Sequence, residues 1–220
     1  MKILFFGASS EIALKLSNKL NYDIYGITRG NSKHNYKKLV KIKKYSKREI
    51  ENALNKLNIE FDHIFFFNGA YEMSLLKSFN KKEFLNIVDI NFNLVIDSAI
   101  ITINKRFLKK NGSVCFLSSA ASFSAEIGNA YYSLTKNLLN FGVKILSKEF
   151  KGIFRFNSVS IGFLNTNFSR KILTDYTTNQ KKIILGKQNG TFVSMSLLFK
   201  KIKYICENSK LNGKIIKIHK

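Results

Sequence analysis

The sequence predicts an α/β fold of Rossmann type. This is a doubly wound parallel sheet of about seven strands with helices on both faces, forming a single domain over residues 1–220. Three observations predict it. Short β-rich runs alternate with helical stretches along the whole chain. One run, FDHIFFF (61–67), is almost continuously apolar, as a strand covered on both faces must be. No repeat, low-complexity tract or linker divides the 220 residues, and a hydrophobic fraction of 45% is enough for one core.

The elements follow in order. KILFF (2–6) is the first strand, and a glycine turn leads into a helix from Ser10 to Leu20. DIYGIT (23–28) and the alternating KLVKIKK (38–44) are the second and third strands. Ser46 followed by Glu49 reads as a capping box opening a helix that runs through Leu57. Residues 61–67 form the fourth strand, and a long helical region extends from Lys81 to Leu108. GSVCFLS (112–118) is the fifth strand, Ala130–Phe150 a long helix and IFRFNSVS (153–160) the sixth strand. A less regular basic stretch follows, then a helix over Phe192–Cys206 and a last strand, GKIIKI (213–218).

Composition excludes several function classes. The beginning, MKILFFGASS, reads as a strand rather than a signal peptide, and no apolar run is expected to span a membrane. Cys115 and Cys206 make no framework and read as buried thiols of a reducing, cytoplasmic compartment. His34, His63 and His219 are scattered, so no metal site is expected. The net charge of +23 raises the possibility of a polyanion partner. However, only five of the 37 basic residues are arginine, proline is absent, and the lysines spread along the whole chain. That profile is compositional, and no nucleic-acid-binding signature accompanies it.

In a doubly wound sheet, ligands bind beyond the carboxyl ends of the strands. The loops after residues 6, 28, 67, 118 and 160 hold the polar and glycine-rich pieces. The first is FGASSEIA (6–13), where Gly7 turns the chain and free amides at a helix start make a phosphate site. A strict G-x-x-x-G-x-G has glycine where Glu11 and Ala13 stand. NAYYSLTK (129–136) places Tyr132 and Lys136 one helical turn apart, so the lysine is positioned to favour the phenolate. In so lysine-rich a chain that spacing arises about once by composition, so its surroundings must decide.

Those surroundings carry a resemblance. FGASSEIA (6–13), FNGA (67–70), Asn91 in DINFN, Ser119 in LSSAAS thirteen residues before Tyr132, Tyr132-x-x-x-Lys136 and IGFLNT (161–166) follow one another in the order and spacing of the short-chain dehydrogenase/reductase family. The chain resembles that family nearly end to end. The resemblance implies a nicotinamide-dependent oxidoreductase. Tyr132 would then be the proton donor to a carbonyl oxygen, and Ser119 a hydrogen-bond donor to the same oxygen. Lys136 would lower the tyrosine pKa and bind the nicotinamide ribose, and Asn91 would hold a water that reprotonates the lysine. It also implies a cofactor site made of Gly7, Ser9, Ser10, Glu11, Ile12, Thr28, Arg29, Asn68, Gly69, Ala70, Tyr132, Lys136, Gly162 and Thr166.

Cofactor choice follows from the end of the second strand. Thr28 stands where an acid would bind the ribose hydroxyls of NAD(H), and Arg29 follows. NADP(H) is therefore preferred, with Ser32 or Lys33 assisting and NAD(H) still possible. Lys44 stands where the family has an aspartate near the adenine, and Ile161 replaces a proline. The substrate lid, 167–188, is expected to be short, and the sequence ends at Lys220 without the family's glycine-rich tail, which together imply an open pocket.

The expected substrate is a small carbonyl compound of keto-sugar or 3-oxoacyl type. It would lie between Ala121, Phe123 and Glu126 on one side and residues 163–187 on the other. Arg170, Lys171, Lys181 and Lys182 are expected to make that second side basic and to favour an anionic substrate. A homodimer or homotetramer through the helices near 81–108 and 130–150 is implied by the resemblance. The alternatives are an inactive cofactor-binding scaffold, which the Glu11 and Ile161 departures favour, and a basic nucleic-acid binder.

Overall fold

A computed structural model describes residues 1–31, 35–124, 126–186 and 192–219, with backbone only for 183–186. Seven strands form one parallel sheet: β1 (Lys2–Phe6), β2 (Asp23–Thr28), β3 (Lys38–Lys41), β4 (Phe61–Phe66), β5 (Leu108–Ser119), β6 (Arg155–Ile161) and β7 (Ile215–Ile218). Their order is β3-β2-β1-β4-β5-β6-β7, and every pairing is parallel. The chain steps outward from β1 to β3, then returns to β4 on the other side of β1. That reversal opens a crevice at the carboxyl ends of β1 and β4.

The helices are α1 (Glu11–Ser17), α2 (Lys47–Leu57), α3 (Lys81–Val88), α4 (Leu94–Asn104), α5 (Ala130–Glu149), α6 (Asn167–Thr174), α7 (Thr178–Gly186) and α8 (Met195–Glu207). Strand alternation sorts the core into two layers. Leu4, Phe6, Ile64 and Phe66 face Leu54 of α2, Val95 and Ala99 of α4, and Val143 of α5. Ile3, Phe5, Phe65 and Phe67 face Ala13 and Leu16 of α1 and Leu198 and Ile202 of α8. The centre of the sheet is aromatic. Phe6 stacks on Phe66 at 4.6 Å between centroids, and Phe66 on Phe116 at 5.1 Å. Such pairs add specificity beyond area burial.

The structure departs from several sequence expectations, each for a local reason. The helical region after Lys81 ends at Asn104 rather than Leu108. Arg106 and Asn111 take left-handed φ values of 61° and 63°, and β5 begins at Leu108. Helical periodicity hid this turn because Phe107 and Leu108 continue the apolar pattern. The expected capping box does not form. Ser46 is the N-cap of α2 without a side-chain cap bond, and Glu49 instead accepts from the amide of Lys43 at 3.0 Å. β3 stops at Lys41. The stretch 167–188, read as irregular, holds α6 and α7 as far as Gly186.

Lys81–Asn104 is one helical run of 24 residues, long and apolar enough to cross a membrane by length and composition. This corrects the expectation that no run reaches that length. In the fold, Val95, Ala99 and Ile103 of this run pack into the core. A π-helical turn, Asp89–Asn93, interrupts it.

Candidate active site

The loop after β1 is shaped by Gly7. Its φ is +69°, and a Cβ there would lie 3.0 Å from the amide nitrogen of Asn68, so only glycine fits. Its N–H donates to the Tyr45 hydroxyl at 3.1 Å. Ser10 caps α1 by accepting from Ala13 N at 3.2 Å. Ser9 Oγ accepts from Thr28 Oγ1 at 2.7 Å, and Thr28 Oγ1 accepts from Gly30 N. Thr28 is thus consumed in joining the first loop to the end of β2. Arg29, exposed just beyond it, lies 5.7 Å over the Tyr45 ring. Ser32 and Lys33 lie outside the described residues.

Glu11, at the position of a family glycine, turns across the crevice. Its carboxylate accepts from Lys15 Nζ at 2.7 Å and from the backbone N–H of Asn167 at 2.8 Å. Burial pushes the Glu11 pKa up, but Lys15, the Asn167 amide and Arg170 outweigh it and leave the pKa below the ordinary carboxylate value.

Asn91, fully buried in the π-helical turn, spans two elements. Its Oδ1 accepts from Ala70 N at 2.8 Å, and its Nδ2 donates to Ala70 O at 3.0 Å and Thr135 Oγ1 at 3.1 Å. Both amide hydrogens are therefore spent on the protein. The side chain braces the loop after β4 against α5.

The two tyrosines of NAYYSLTK part company on α5. Tyr131 is 1% exposed, its hydroxyl accepts from Asn80 N at 2.6 Å, and its ring packs on Phe79 and Phe84. Tyr132 lines a cavity of about 700 Å³ with Ser119, Lys136, Asn68 and Gly69. Burial pushes the Tyr132 phenol up to about 12, and the Ser119 hydroxyl, its hydrogen-bond partner, pulls the other way. Lys136 is 3% exposed; burial lowers its pKa to about 8. Its Nζ donates to Leu117 O at 3.0 Å and sits 5.6 Å from the Tyr132 ring centroid. The tyrosine pKa is therefore raised rather than lowered: desolvation is the larger cause, and Ser119, not this lysine, is the group that opposes it.

Of the sequence-derived site residues, Ser9, Ser10, Glu11, Ile12, Asn68, Gly69, Ser119, Tyr132, Lys136, Gly162 and Thr166 line the cavity. Gly7, Thr28, Arg29, Ala70 and Asn91 lie behind or beside it. Thr166 caps α6, and Ile161 pairs with Ser119 and Ile218 as a ladder residue, a place proline fills poorly. Among the described residues the expected basic wall does not line the cavity. Arg170 is turned to Asn165 and Asn167, and Arg170, Lys171, Lys181 and Lys182 are not among its lining residues.

Sequence reading missed Tyr71, Asn129, Tyr176 and His219, which all line the cavity. Asn129 opens the quoted stretch itself, and its place one turn before Tyr132 was the available signal. The other three reach the cavity from distant loops and left none.

The crevice suits a nicotinamide dinucleotide on its own observations. Gly7 leaves no room for a side chain, Ser9 to Ile12 at the start of α1 line the cleft, and Asn68 Oδ1 is buried without a partner.

Comparisons agree with this geometry. The chain superposes on a short chain dehydrogenase family protein from Francisella tularensis subsp. tularensis SCHU S4 with a TM-score of 0.84 at 21% identity, covering 99% of this chain and 96% of that one. 4-Hydroxyisoleucine dehydrogenase complexed with NADH gives 0.82 at 20% identity, with 99% and 97% covered. A variant of actinorhodin polyketide ketoreductase with NADPH gives 0.84 at 15%, with 99% and 95% covered. No curated protein matches the sequence. A family model described as enoyl-(acyl carrier protein) reductase matches residues 43–194. With that match spanning most of its length, the chain belongs to the short-chain dehydrogenase/reductase family.

Proposed function

We propose that the protein is an NADPH-dependent reductase that converts a ketone to a secondary alcohol, reversibly. The observation that carries this reading is the grouping of Ser119, Tyr132 and Lys136 on one wall of a cavity continuous with the dinucleotide crevice. When bound, the nicotinamide cofactor supplies a hydride to the carbonyl carbon. Ser119 and Tyr132 hold the carbonyl oxygen, and Tyr132 gives it a proton. A phenol held near 12 is protonated at neutral pH, as an acid for reduction must be. Lys136, charged below about pH 8, stabilises the phenolate left behind. Asn91 keeps Ala70 and α5 in register, which fixes the floor beneath Lys136.

Arg29 supports NADPH over NADH, because it places a permanent cation at the end of β2 while Thr28 is bonded within the protein. Cys115 and Cys206, both free and buried, fit a reducing cytoplasm. A second reading, cofactor binding without turnover, rests on Glu11, which stands at a family glycine position of the phosphate loop and carries its carboxylate across the crevice to Asn167 N.

One experiment tests these readings together: cofactor oxidation measured with a panel of ketones. Tyr132→Phe is expected to lose at least about 100-fold in kcat/KM. Arg29→Asp is expected to lose about tenfold or more with NADPH and little with NADH. Turnover that survives Tyr132→Phe refutes the mechanism. Cofactor binding with no turnover of any ketone favours the second reading.

A further inference from the structure

Asparagine at a helix N-cap ordinarily turns its side chain back onto the helix amides. Asn129, the N-cap of α5, makes no such bond. The amide it would satisfy, Tyr131 N, donates instead to Ser74 Oγ at 3.0 Å, and Ala130 N donates to Ser74 O. Ser74 has taken over the cap. Asn129 lines the cavity one helical turn before Tyr132. Asn129 is 8% exposed, and its carboxamide oxygen is buried with no hydrogen-bond partner. A buried acceptor left unpaired is costly, and a cavity that keeps one is built for a ligand donor.

The surrounding walls define the rest of that ligand. Tyr71 stands edge-on to Tyr132 at 5.6 Å between centroids, and Phe123, Phe168 and Tyr176 extend the aromatic lining. Lys136 is the only lysine or arginine among the described lining residues, whereas Glu11 and Glu126 place carboxylates at the wall.

We propose, resting on the carbonyl-reductase reading above, that Asn129 is a specificity-determining residue. It selects an uncharged ketone with an aromatic or apolar body that bears a hydroxyl or N–H a few bonds from the carbonyl. The carbonyl oxygen lies between Ser119 and Tyr132, and the donor lies about one helical turn away against Asn129 Oδ1. A site built to hydrogen-bond such a group rejects the analogue that lacks it, because the acceptor is then left unpaired.

The test uses 3-hydroxypropiophenone, propiophenone and the anion 3-benzoylpropionate. Binding to the protein with NADP+ is measured by calorimetry, and reduction is measured with NADPH. The expected order is hydroxy ketone first, at least tenfold ahead of propiophenone in both Kd and kcat/KM, with the carboxylate last. Asn129→Leu is expected to bring the hydroxy-to-plain ratio to about one, and Asn129→Asp, which keeps an acceptor, to preserve most of it. A ratio unchanged in Asn129→Leu, a preference for the carboxylate, or no binding of any of the three overturns the proposal. Selective binding that depends on Asn129 without NADPH consumption supports the site and removes the reductase reading instead.

Discussion

Tyr131 and Tyr132 are adjacent in sequence but about 100° apart around α5. One is a core residue bonded to Asn80 N, and the other faces the cavity. The residue scale also sets the pH behaviour, through Lys136. Burial brings its pKa from 10.5 to about 8, so the folded protein gives up this proton more readily than the unfolded chain. Between about pH 8 and 10.5 the unfolded chain holds the proton that the folded one has lost, and this group's share of stability rises with pH. Below about pH 8 the cost of burying the ammonium is fully present, on the order of 3 kcal/mol. Lys136→Met should therefore raise Tm at pH 7, and the gain should shrink towards zero near pH 10.5. The same variant should lose reductase activity, and the wild-type rate should fall above about pH 8. Thermal melts at the two pH values check the first claim, and a pH–rate profile checks the second. A variant less stable than wild type at pH 7 contradicts the assignment.

At the scale of elements, the site depends on how the helical run 81–104 is broken. The π-helical turn at Asp89–Asn93 carries Asn91 to where it bonds Ala70 and Thr135 together. Removing it by Asn91→Ala leaves the part-buried N–H and C=O of Ala70 without their partner, at about 1–3 kcal/mol each, while Thr135 Oγ1 keeps its bond to Tyr132 O. A loss of about 3 kcal/mol and a fall in Tm on the order of 5–10 °C are expected, together with reduced turnover. Circular dichroism melts and cofactor oxidation measure the two effects. An unchanged Tm would show that the brace is dispensable.

This element also marks the limit of what the sequence made legible. Asn91 could be picked out from its place among the motifs, but the π turn could not. Nothing in DINFN departs from ordinary helical spacing, and the widened turn is the one that carries the Asn91 side chain bonded to Ala70. Likewise Ser46 and Glu49 have capping-box spacing, yet Glu49 goes to Lys43 N, a partner that β3 brings near. Arg170 is near the substrate side in sequence, but two local asparagines hold its guanidinium.

At the scale of the molecule, one face of α5 is left apolar and open. Leu134, Leu138, Phe141 and Ile145 recur at helical spacing, and each is between 41% and 59% exposed. Covering such a stripe contributes roughly 2 kcal/mol per large side chain. This supports the proposal that two copies associate through α5, as the resemblance implies. Light scattering of the purified protein should then report a dimer or larger, and Phe141→Glu should shift it towards monomer. A monomeric wild type would refute this.

The sequence by itself determined the strand–helix alternation and the turn glycine, and its motif order singled out Asn91, Ser119, Tyr132 and Lys136 as candidates. Each of these depends on local periodicity or on spacing within a chain-order pattern, which a sequence preserves. Only the tertiary structure decided that Tyr131 is held by Asn80 N in the core, that burial raises the Tyr132 phenol, and that Ser74 takes over the cap at Asn129. Those outcomes turn on desolvation and on partners tens of residues away, and both come into being only when the sheet closes over the core.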